Sequence, residues 1–469
     1  MTDRGTVPFG ATKDTLAWFA KLPASLSPAM RARHYLPRGF SQKMTSFAIG
    51  NAELASEMYA GLFVFNGKTI SASPSEVFSN IDTKLEWLAH FNASNRGLHD
   101  RYAMRLLHYW SKAKRSKAHM RTQTQILFAL ATDGQMIARR CEASVQASFF
   151  EIVGCALKTL IQLRSHNAEQ STAKAMALLY CLNSFQGLAH LREMTYELIE
   201  RNLNQVMMPD GGHVSRNVAT LIEFLEQSVP LAQVNSAIMP PLLLRAVENG
   251  LALLKLMQCP DGKLSGVLAE VQNTELQQRL LNVQNIEIPK LNFAPQSGFA
   301  RIEHELAILI ADTSARLGVE FSDGKQRVMK SKFFNVGQMQ PANIQSAPPG
   351  TVLAMESNNQ KRTCFLSADG QDLRIEEECP DGDIIIQVAQ GTRLSSLMEG
   401  QAVMFVLPDQ SVWHLKQRGG ILDIRQSNTQ SEIIIHHKHG GKVNWSLKKQ
   451  ARTIKAFRKK SSFKSELLI

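Results

Sequence analysis

The sequence predicts an α+β multidomain chain, with helical hairpins in its N-terminal part followed by an antiparallel β-sandwich. Two changes of pattern carry this expectation. Before about residue 290 apolar residues return at helical spacing, as in Ile152, Ala156 and Leu160 or Leu244, Val247, Leu251 and Leu254. Beyond it the period falls to two, with Val443, Trp445 and Leu447 alternating with Asn444 and Ser446 as on a half-buried strand. The length of 469 residues is more than one ordinary core serves, so two domains are expected.

Residues 1–50 read as irregular, because Pro8, Pro23, Pro28 and Pro37 interrupt any long element there. Helices are predicted over 83–92, 100–112, 122–140, 146–164, 172–186, 190–206, 217–229 and 240–257. Two of them run into similar turns, Pro209-Asp210-Gly211 and Pro260-Asp261-Gly262, at a spacing that fits consecutive helical hairpins in a bundle, solenoid or toroid. β-rich runs follow at 299–311, 383–389, 402–406, 411–416, 421–425 and 431–436, parted by turn signals such as Pro380-Asp381-Gly382 and Gly419-Gly420. The expected divisions are an irregular segment 1–50, a helical domain 51–290, a sandwich 291–449 and a basic tail 450–469.

With 44% hydrophobic and 20% charged residues the chain is globular. No secretory signal opens it and no run of about 18 apolar residues appears, so a cytoplasmic location is expected. The six cysteines (Cys141, Cys155, Cys181, Cys259, Cys364, Cys379) are scattered, which suits a reducing compartment and argues against a disulfide framework or a zinc site. The net charge of +12 suggests an acidic partner, but much of the excess lies in one place. Ten cationic residues (Lys438, Lys442, Lys448, Lys449, Arg452, Lys455, Arg458, Lys459, Lys460 and Lys464) face one late acid, Glu466. Such a tail suits contact with a polyanion or a membrane surface. No RNA-binding signature accompanies it, so no specific nucleic-acid partner is expected.

The most informative stretch is Pro209-Asp210-Gly211-Gly212-His213-Val214-Ser215-Arg216-Asn217. Its glycines allow a tight turn, and Ser215 or Asn217 can accept from the free N–H groups that open the next helix. That helix is legible from Leu221, Ile222, Leu225 and Val229. A histidine, an arginine and an amide therefore gather at a positive helix N-terminus, which suits an anion.

This turn, placed between a helical domain and a β-sandwich, resembles that of the heparinase II/III-like polysaccharide lyases of the α-proteobacterial type. The likeness rests on ordered stretches: NAELASEMYAGLFVFNG at 51–67, WLAHFN at 87–92, MPDGGHVSRN at 208–217, PQSGFARIEHELAILIAD at 295–312, FLSADG at 365–370 and GKVNWSL at 441–447. The resemblance implies an incomplete α/α toroid carrying an antiparallel sandwich with a cleft between them. It implies β-elimination on an anionic, uronic-acid polysaccharide such as a glycosaminoglycan, in a bacterial cell envelope or matrix. On this chain His213 falls on the motif histidine, with Arg216 and Asn217 as its substrate-binding companions.

The chain also departs from that pattern. Where many such lyases carry a Tyr-His pair in the helix after the turn, this chain has Thr220 and Leu221. Ile310-Ala311-Asp312-Thr313 runs almost directly to Val319-Glu320-Phe321-Ser322, with no His-Ala-Gly/Asp element before the latter, so no metal is expected there. These departures motivate a second reading, a non-catalytic descendant that binds acidic glycans or acts as a scaffold. Tyr102 and Tyr109, with His99 and His108, are the substitutes considered for lining a cleft. His414, beside Trp413 on a strand, and the trio His436, His437 and His439 read as ordinary surface residues, and no cofactor-binding motif is present.

Overall fold

The computed structural model describes residues 35–450, except 66–67, 72, 74–84, 113–118, 236–238, 267–273, 306, 314–317, 333–341, 358–359, 379–382, 427–430 and 438–440. The basic tail beyond residue 450, the segment before 35, Cys379, His439 and the Pro380-Asp381-Gly382 turn lie outside the described residues. The described chain forms two compact units. One ends at Ser297 and is helical; the other holds residues from Gly298 onward together with the loop Cys259–Leu268.

The helical unit contains α1 Ala52–Tyr59, α2 Trp87–Ser94, α3 Gly97–Lys112, α4 Met120–Ala129, α5 Gln135–Arg139, α6 Ala143–Gln162, α7 Ala168–Ser184, α8 Arg192–Asn202, α9 Val218–Asn235, α10 Pro241–Leu256 and α11 Thr274–Leu281. The apolar stripes read from the sequence are the buried faces. Leu221, Ile222, Leu225 and Val229 of α9 are buried, as are Val247, Leu251 and Leu254 of α10. Gly250 lets these two helices close up, since a Cβ there would meet Leu225 Cδ2 at 3.0 Å. The stretch 122–140, expected as one helix, is interrupted by a π-helical turn, Leu130–Gly134, between α4 and α5. Two short helices, α1 and α11, leave no periodic signal in the sequence. Eight-residue elements supply too few periods to stand out from their surroundings, although Asn51 caps α1 by accepting from Glu53 N–H at 2.8 Å.

Helix α6 is long and apolar enough to cross a bilayer by length and composition alone. Its Val145, Phe149, Ile152, Val153, Leu157 and Leu160 are nonetheless buried inside the unit, which is the behaviour of a core helix. Phe149, Phe150 and Phe185 cluster with Phe40, and Arg139 stacks on Phe40 at 4.8 Å while donating to the carbonyl of Ser41 at 2.7 Å. That contact fastens residues 38–42 to the helices.

The second unit is an antiparallel sandwich. One eight-stranded sheet runs Asn343–Ala347, Gly350–Ser357, Gln360–Ser367, Asp372–Glu378, Lys442–Lys449, Val412–Arg418, Ala402–Val406 and Arg393–Leu397. The other contains, neighbour to neighbour, Ile421–Gln426, Ser431–His436, Ile384–Val388, Arg327–Lys332, Gly318–Ser322, Ala307–Asp312 and Phe299–His304. The 299–311 run is thus a hairpin of two strands, Phe299–His304 and Ala307–Asp312. The strand Lys442–Lys449 is last in sequence yet central in its sheet, with Val443, Trp445 and Leu447 turned inward as the alternation required.

A fully buried ion pair lies within the first sheet, and its arginine reaches the second. Arg362 Nη2 lies 3.0 Å from Glu377 Oε1, and Trp445 Nε1 donates to the same oxygen at 2.8 Å. From its own sheet Arg362 donates to the carbonyl of Ser331 (3.3 Å) and to its hydroxyl (3.1 Å) in the opposite sheet. Phe321 meets Trp413 edge-on at 5.3 Å across the same interior. Removing one partner of a buried pair strands the other's charge and costs about 3–5 kcal/mol, whereas an apolar replacement of both is far milder. Glu377→Ala is therefore expected to lower the midpoint of chemical denaturation strongly, and Arg362→Met with Glu377→Leu to recover most of it. An unchanged midpoint in Glu377→Ala would remove this pair from the account of the sandwich.

Candidate functional site

The Pro209–Asn217 loop is a folded hairpin. Met208 N–H donates to Gly212 O (2.6 Å), Val214 N–H to Val206 O (2.9 Å) and Arg216 N–H to His213 O (2.8 Å). Gly211 has φ +92° and a Cβ there would collide with the backbone of Asn249, so glycine is required twice over, by conformation and by space. Asn249 Nδ2 in turn donates to Pro209 O at 2.8 Å.

Asp210 holds the loop to the end of the helical unit. Its Oδ2 accepts from Gln296 N–H (2.7 Å) and Ser297 N–H (2.8 Å), and its Oδ1 from the Ser297 hydroxyl (2.5 Å). Asn217 is the cap of α9, its Oδ1 accepting from Ala219 N–H at 2.9 Å. Arg216 has φ +54° and donates to the carbonyl of Gln296 at 3.1 Å. Of the three residues named at this loop, His213 lines a cavity of the helical unit, and Arg216 and Asn217 are not on its wall. The twin turn at Pro260-Asp261-Gly262 belongs to the sandwich unit, where Asp261 pairs with Arg327 at 3.0 Å.

His213 is 3% exposed, and its surroundings fix its tautomer. Ser215 N–H points at Nδ1 (3.1 Å), so Nδ1 is an acceptor; the Ser215 hydroxyl, itself accepting from Asn217 N–H (3.3 Å), lies 2.7 Å from the same nitrogen. The neutral ring then carries its proton on Nε2, which faces Glu169 Oε1 at 3.7 Å. Burial lowers the imidazole's pKa below its ordinary value, against the opposing pull of Glu169 and Glu223.

The cavity that His213 lines has a volume of about 380 Å³ and is bounded by α4, α7 and α9, including Arg121, Gln125, Glu169, Thr172, Thr220, Glu223, Glu226 and Gln227. A second cavity in the same unit, about 200 Å³, shares Gln125, Glu226 and Gln227 with it and adds Tyr180 and Asp133. Tyr180 is fully buried, and burial, with the charge of Glu226, pushes its phenol pKa well up. Glu226 is raised in turn by burial and by Glu223, against Arg279. Asp133, on the π-helical turn, accepts from Asn92 Nδ2 (2.9 Å) and Ser46 Oγ (3.0 Å), and burial raises its pKa over the opposing effect of those bonds. Asn92 connects it to Arg140, whose guanidinium grips Asp100 at 2.7 and 2.8 Å.

Tyr102 and Tyr109 do not reach these cavities; neither is on their walls. Tyr102 packs edge-on against Tyr59 at 5.2 Å and near Phe91, and burial pushes its phenol up to about 12. Tyr109 accepts from Arg105 at 3.3 Å. His108, in the same helix, is 2% exposed and falls to about 4 by burial. Tyr102 thus belongs to an aromatic core, whereas Tyr109 is half-buried beside Arg105. His414 lies 3.2 Å from Gln450 Oε1, and His436 pairs with Asp383 at 2.8 Å. No group of three His, Cys, Asp or Glu suited to a metal occurs among the described residues.

Sequence reasoning missed Glu169, Glu223, Glu226 and Tyr180. A weak signal existed: Glu223 and Glu226 stand one turn apart on the helix that follows the histidine loop, on the side away from Leu221 and Leu225. Glu169 and Tyr180 come from α7, some forty residues earlier, and no local pattern links them to it.

No family profile matches the chain, and no curated protein matches it. Solved structures do. A heparinase III superposes with a TM-score of 0.62 at 12% identity, over 96% of this chain and 93% of that one. The heparan sulfate lyase HepC from Pedobacter heparinus gives 0.61 at 9% identity, over 93% and 88%, and another heparinase III gives 0.58 at 10% identity, over 93% and 90%. The chain therefore has the fold of the heparinase III-type polysaccharide lyases, helical region and paired sheets together.

Two outcomes check the site. Asp210→Ala removes a half-buried carboxylate that accepts four hydrogen bonds and should lower the melting temperature by several degrees. An unchanged melting temperature would show that Asp210 does not fix the loop. Separately, the depressed pKa of His213 contributes stability that is complete above the ordinary value of 6.5 and is lost as pH falls through the folded value. His213→Gln should accordingly flatten the fall of melting temperature below pH 6.5 relative to the parent; parallel pH profiles would contradict it.

Proposed function

We propose that this protein is a carbon–oxygen lyase by chemistry as well as by fold, cleaving a uronate-containing polysaccharide held in the cavities of its helical unit. Elimination next to a uronate needs three things: the carboxylate must be neutralised, the adjacent ring proton removed, and the leaving oxygen protonated. His213 Nε2–H is a fixed donor for the carboxylate. Glu169, 3.7 Å from that nitrogen, is our candidate base for the neighbouring carbon. Tyr180 and Glu226, both held toward their protonated forms, are our candidate acids for the leaving oxygen.

The observation that carries this reading is the shared wall. A histidine donor and a tyrosine line two cavities that have Gln125, Glu226 and Gln227 in common. The test is the ultraviolet absorbance of an unsaturated uronate released from a panel of uronic-acid polymers. His213→Ala and Tyr180→Phe are each expected to reduce kcat/KM by about a hundredfold or more. Activity indifferent to His213→Ala would refute the assignment of roles.

One feature favours the second reading, a descendant that binds glycan without cutting it: among the described residues, no tyrosine is on the wall of the His213 cavity itself. Under that reading an oligosaccharide raises the melting temperature and is recovered intact.

A further inference from the structure

The outward face of the sandwich's first sheet carries a trough that the proposed elimination does not use. Across four neighbouring strands two rows of side chains line it: Phe365, Arg374, Ser446 and Lys416, then Thr363, Glu376, Asn444 and Arg418. Ser446 and Asn444, both short, stand on the strand Lys442–Lys449, and the longer Arg374, Glu376, Lys416 and Arg418 stand on the strands to either side of it. The hollow has a volume of about 470 Å³. Its walls are two strand spacings apart, about 10 Å, which admits one extended polymer lying along the strand between them.

Several groups in this trough are without partners. Arg374 lies over the Phe365 ring at 5.5 Å and pairs with Asp372 at 2.7 Å, and Glu376 is neutralised by Lys442 at 2.5 Å. Lys416 and Arg418 are exposed, and among the described residues neither forms an ion pair; the side chains of Thr363, Asn444 and Ser446 form no hydrogen bond. Unpaired cations beside unbonded hydroxyl and amide groups match a chain that carries both acidic groups and many hydroxyls. Other polyanions fit less well. Phe365 is overlaid by Arg374 and Trp445 turns inward, so nucleobases have no open ring on which to stack. None of the large exposed apolar residues lies in the trough, as insertion into a membrane surface would need.

We propose that this trough is a binding site for an acidic polysaccharide, separate from the cavities of the helical unit. The polymer's carboxylates or sulfates meet Lys416 and Arg418, and its hydroxyls bond Thr363, Asn444 and Ser446. The site does not depend on elimination in the helical unit: a chain without lyase activity binds there equally.

The test combines lysine footprinting with calorimetric affinity, on the full chain at low ionic strength. The probe is a uronate–N-acetylglucosamine octasaccharide, with an uncharged N-acetylglucosamine hexasaccharide, oligouridylate of equal charge and phosphatidylserine vesicles as comparisons. The octasaccharide should slow acetylation of Lys416 by at least about threefold and leave Lys255, exposed on α10, unaffected; the uncharged sugar should protect neither. Lys416→Gln with Arg418→Gln should weaken binding about tenfold and make it less sensitive to salt. The charge-matched pair Arg245→Gln with Lys255→Gln, both exposed on α10, should cost less than about twofold. Ser446→Val fills the floor of the trough with a strand-compatible side chain, alters no charge, and should also weaken binding severalfold. Unprotected Lys416, equal losses in the two double variants, or protection of Lys416 by oligouridylate or vesicles as strong as by the octasaccharide would each overturn the proposal. Failure of the lyase reading looks different: no unsaturated product from any uronate polymer, with Lys416 still protected.

Discussion

The geometry of the candidate site depends on one carboxylate. Asp210 accepts from two backbone N–H groups and a hydroxyl of Gln296 and Ser297. Those residues lie 86 and 87 positions away. The loop it anchors also has to pass so close to Asn249 that only glycine fits at position 211. With both ends fixed, the hairpin turns His213 inward and Ser215 settles its tautomer. The Pro-Asp-Gly-Gly-His run is thus a device for placing one imidazole N–H on a cavity wall. Its polar residues serve the loop first: Asp210 is the anchor, Asn217 the helix cap, and Arg216 a tie to Gln296.

A division of charge follows from this arrangement. The positive excess of the chain resides largely near the C-terminus, whereas the space beside His213 is walled by glutamates. Net charge therefore says little about what the cavity accepts, because fields within a few ångströms of a ligand are set by its nearest neighbours and distant charges are screened. Burial compounds the effect. It lowers the pKa of His213 and raises those of Glu226 and Tyr180, so the titratable groups along the two cavities differ in character.

The sandwich unit shows the same economy of polar groups in an apolar interior. Arg362 and Glu377 are wholly buried, with Trp445 and Ser331 accounting for further bonds. Nearby, Glu320 accepts from the Ser265 hydroxyl (2.7 Å) and Gly266 N–H (2.6 Å) and pairs with Arg327 at 3.0 Å, drawing the loop 259–268 into this unit. That loop lies within the helical stretch of sequence. It sides with the strands because its partners, Glu320 and Arg327, are there.

Periodicity alone determined the architecture: apolar stripes at 3.6 residues gave the helices around Leu225 and Leu251, and alternation gave the strand through Val443, Trp445 and Leu447. The ordered short motifs, spread over the whole length, carried the likeness to the lyases, and the loop pattern singled out His213. Tertiary structure alone decided what surrounds that histidine. Glu169 and Tyr180 arrive from one helix and Glu223 and Glu226 from another, while Tyr102, chemically apt, goes to an aromatic core and Tyr109 stands beside Arg105. Local sequence records which face of a helix is apolar, because burial rewards that face at every turn. It does not record which polar faces meet across a cavity, since that depends on how separate helices pack.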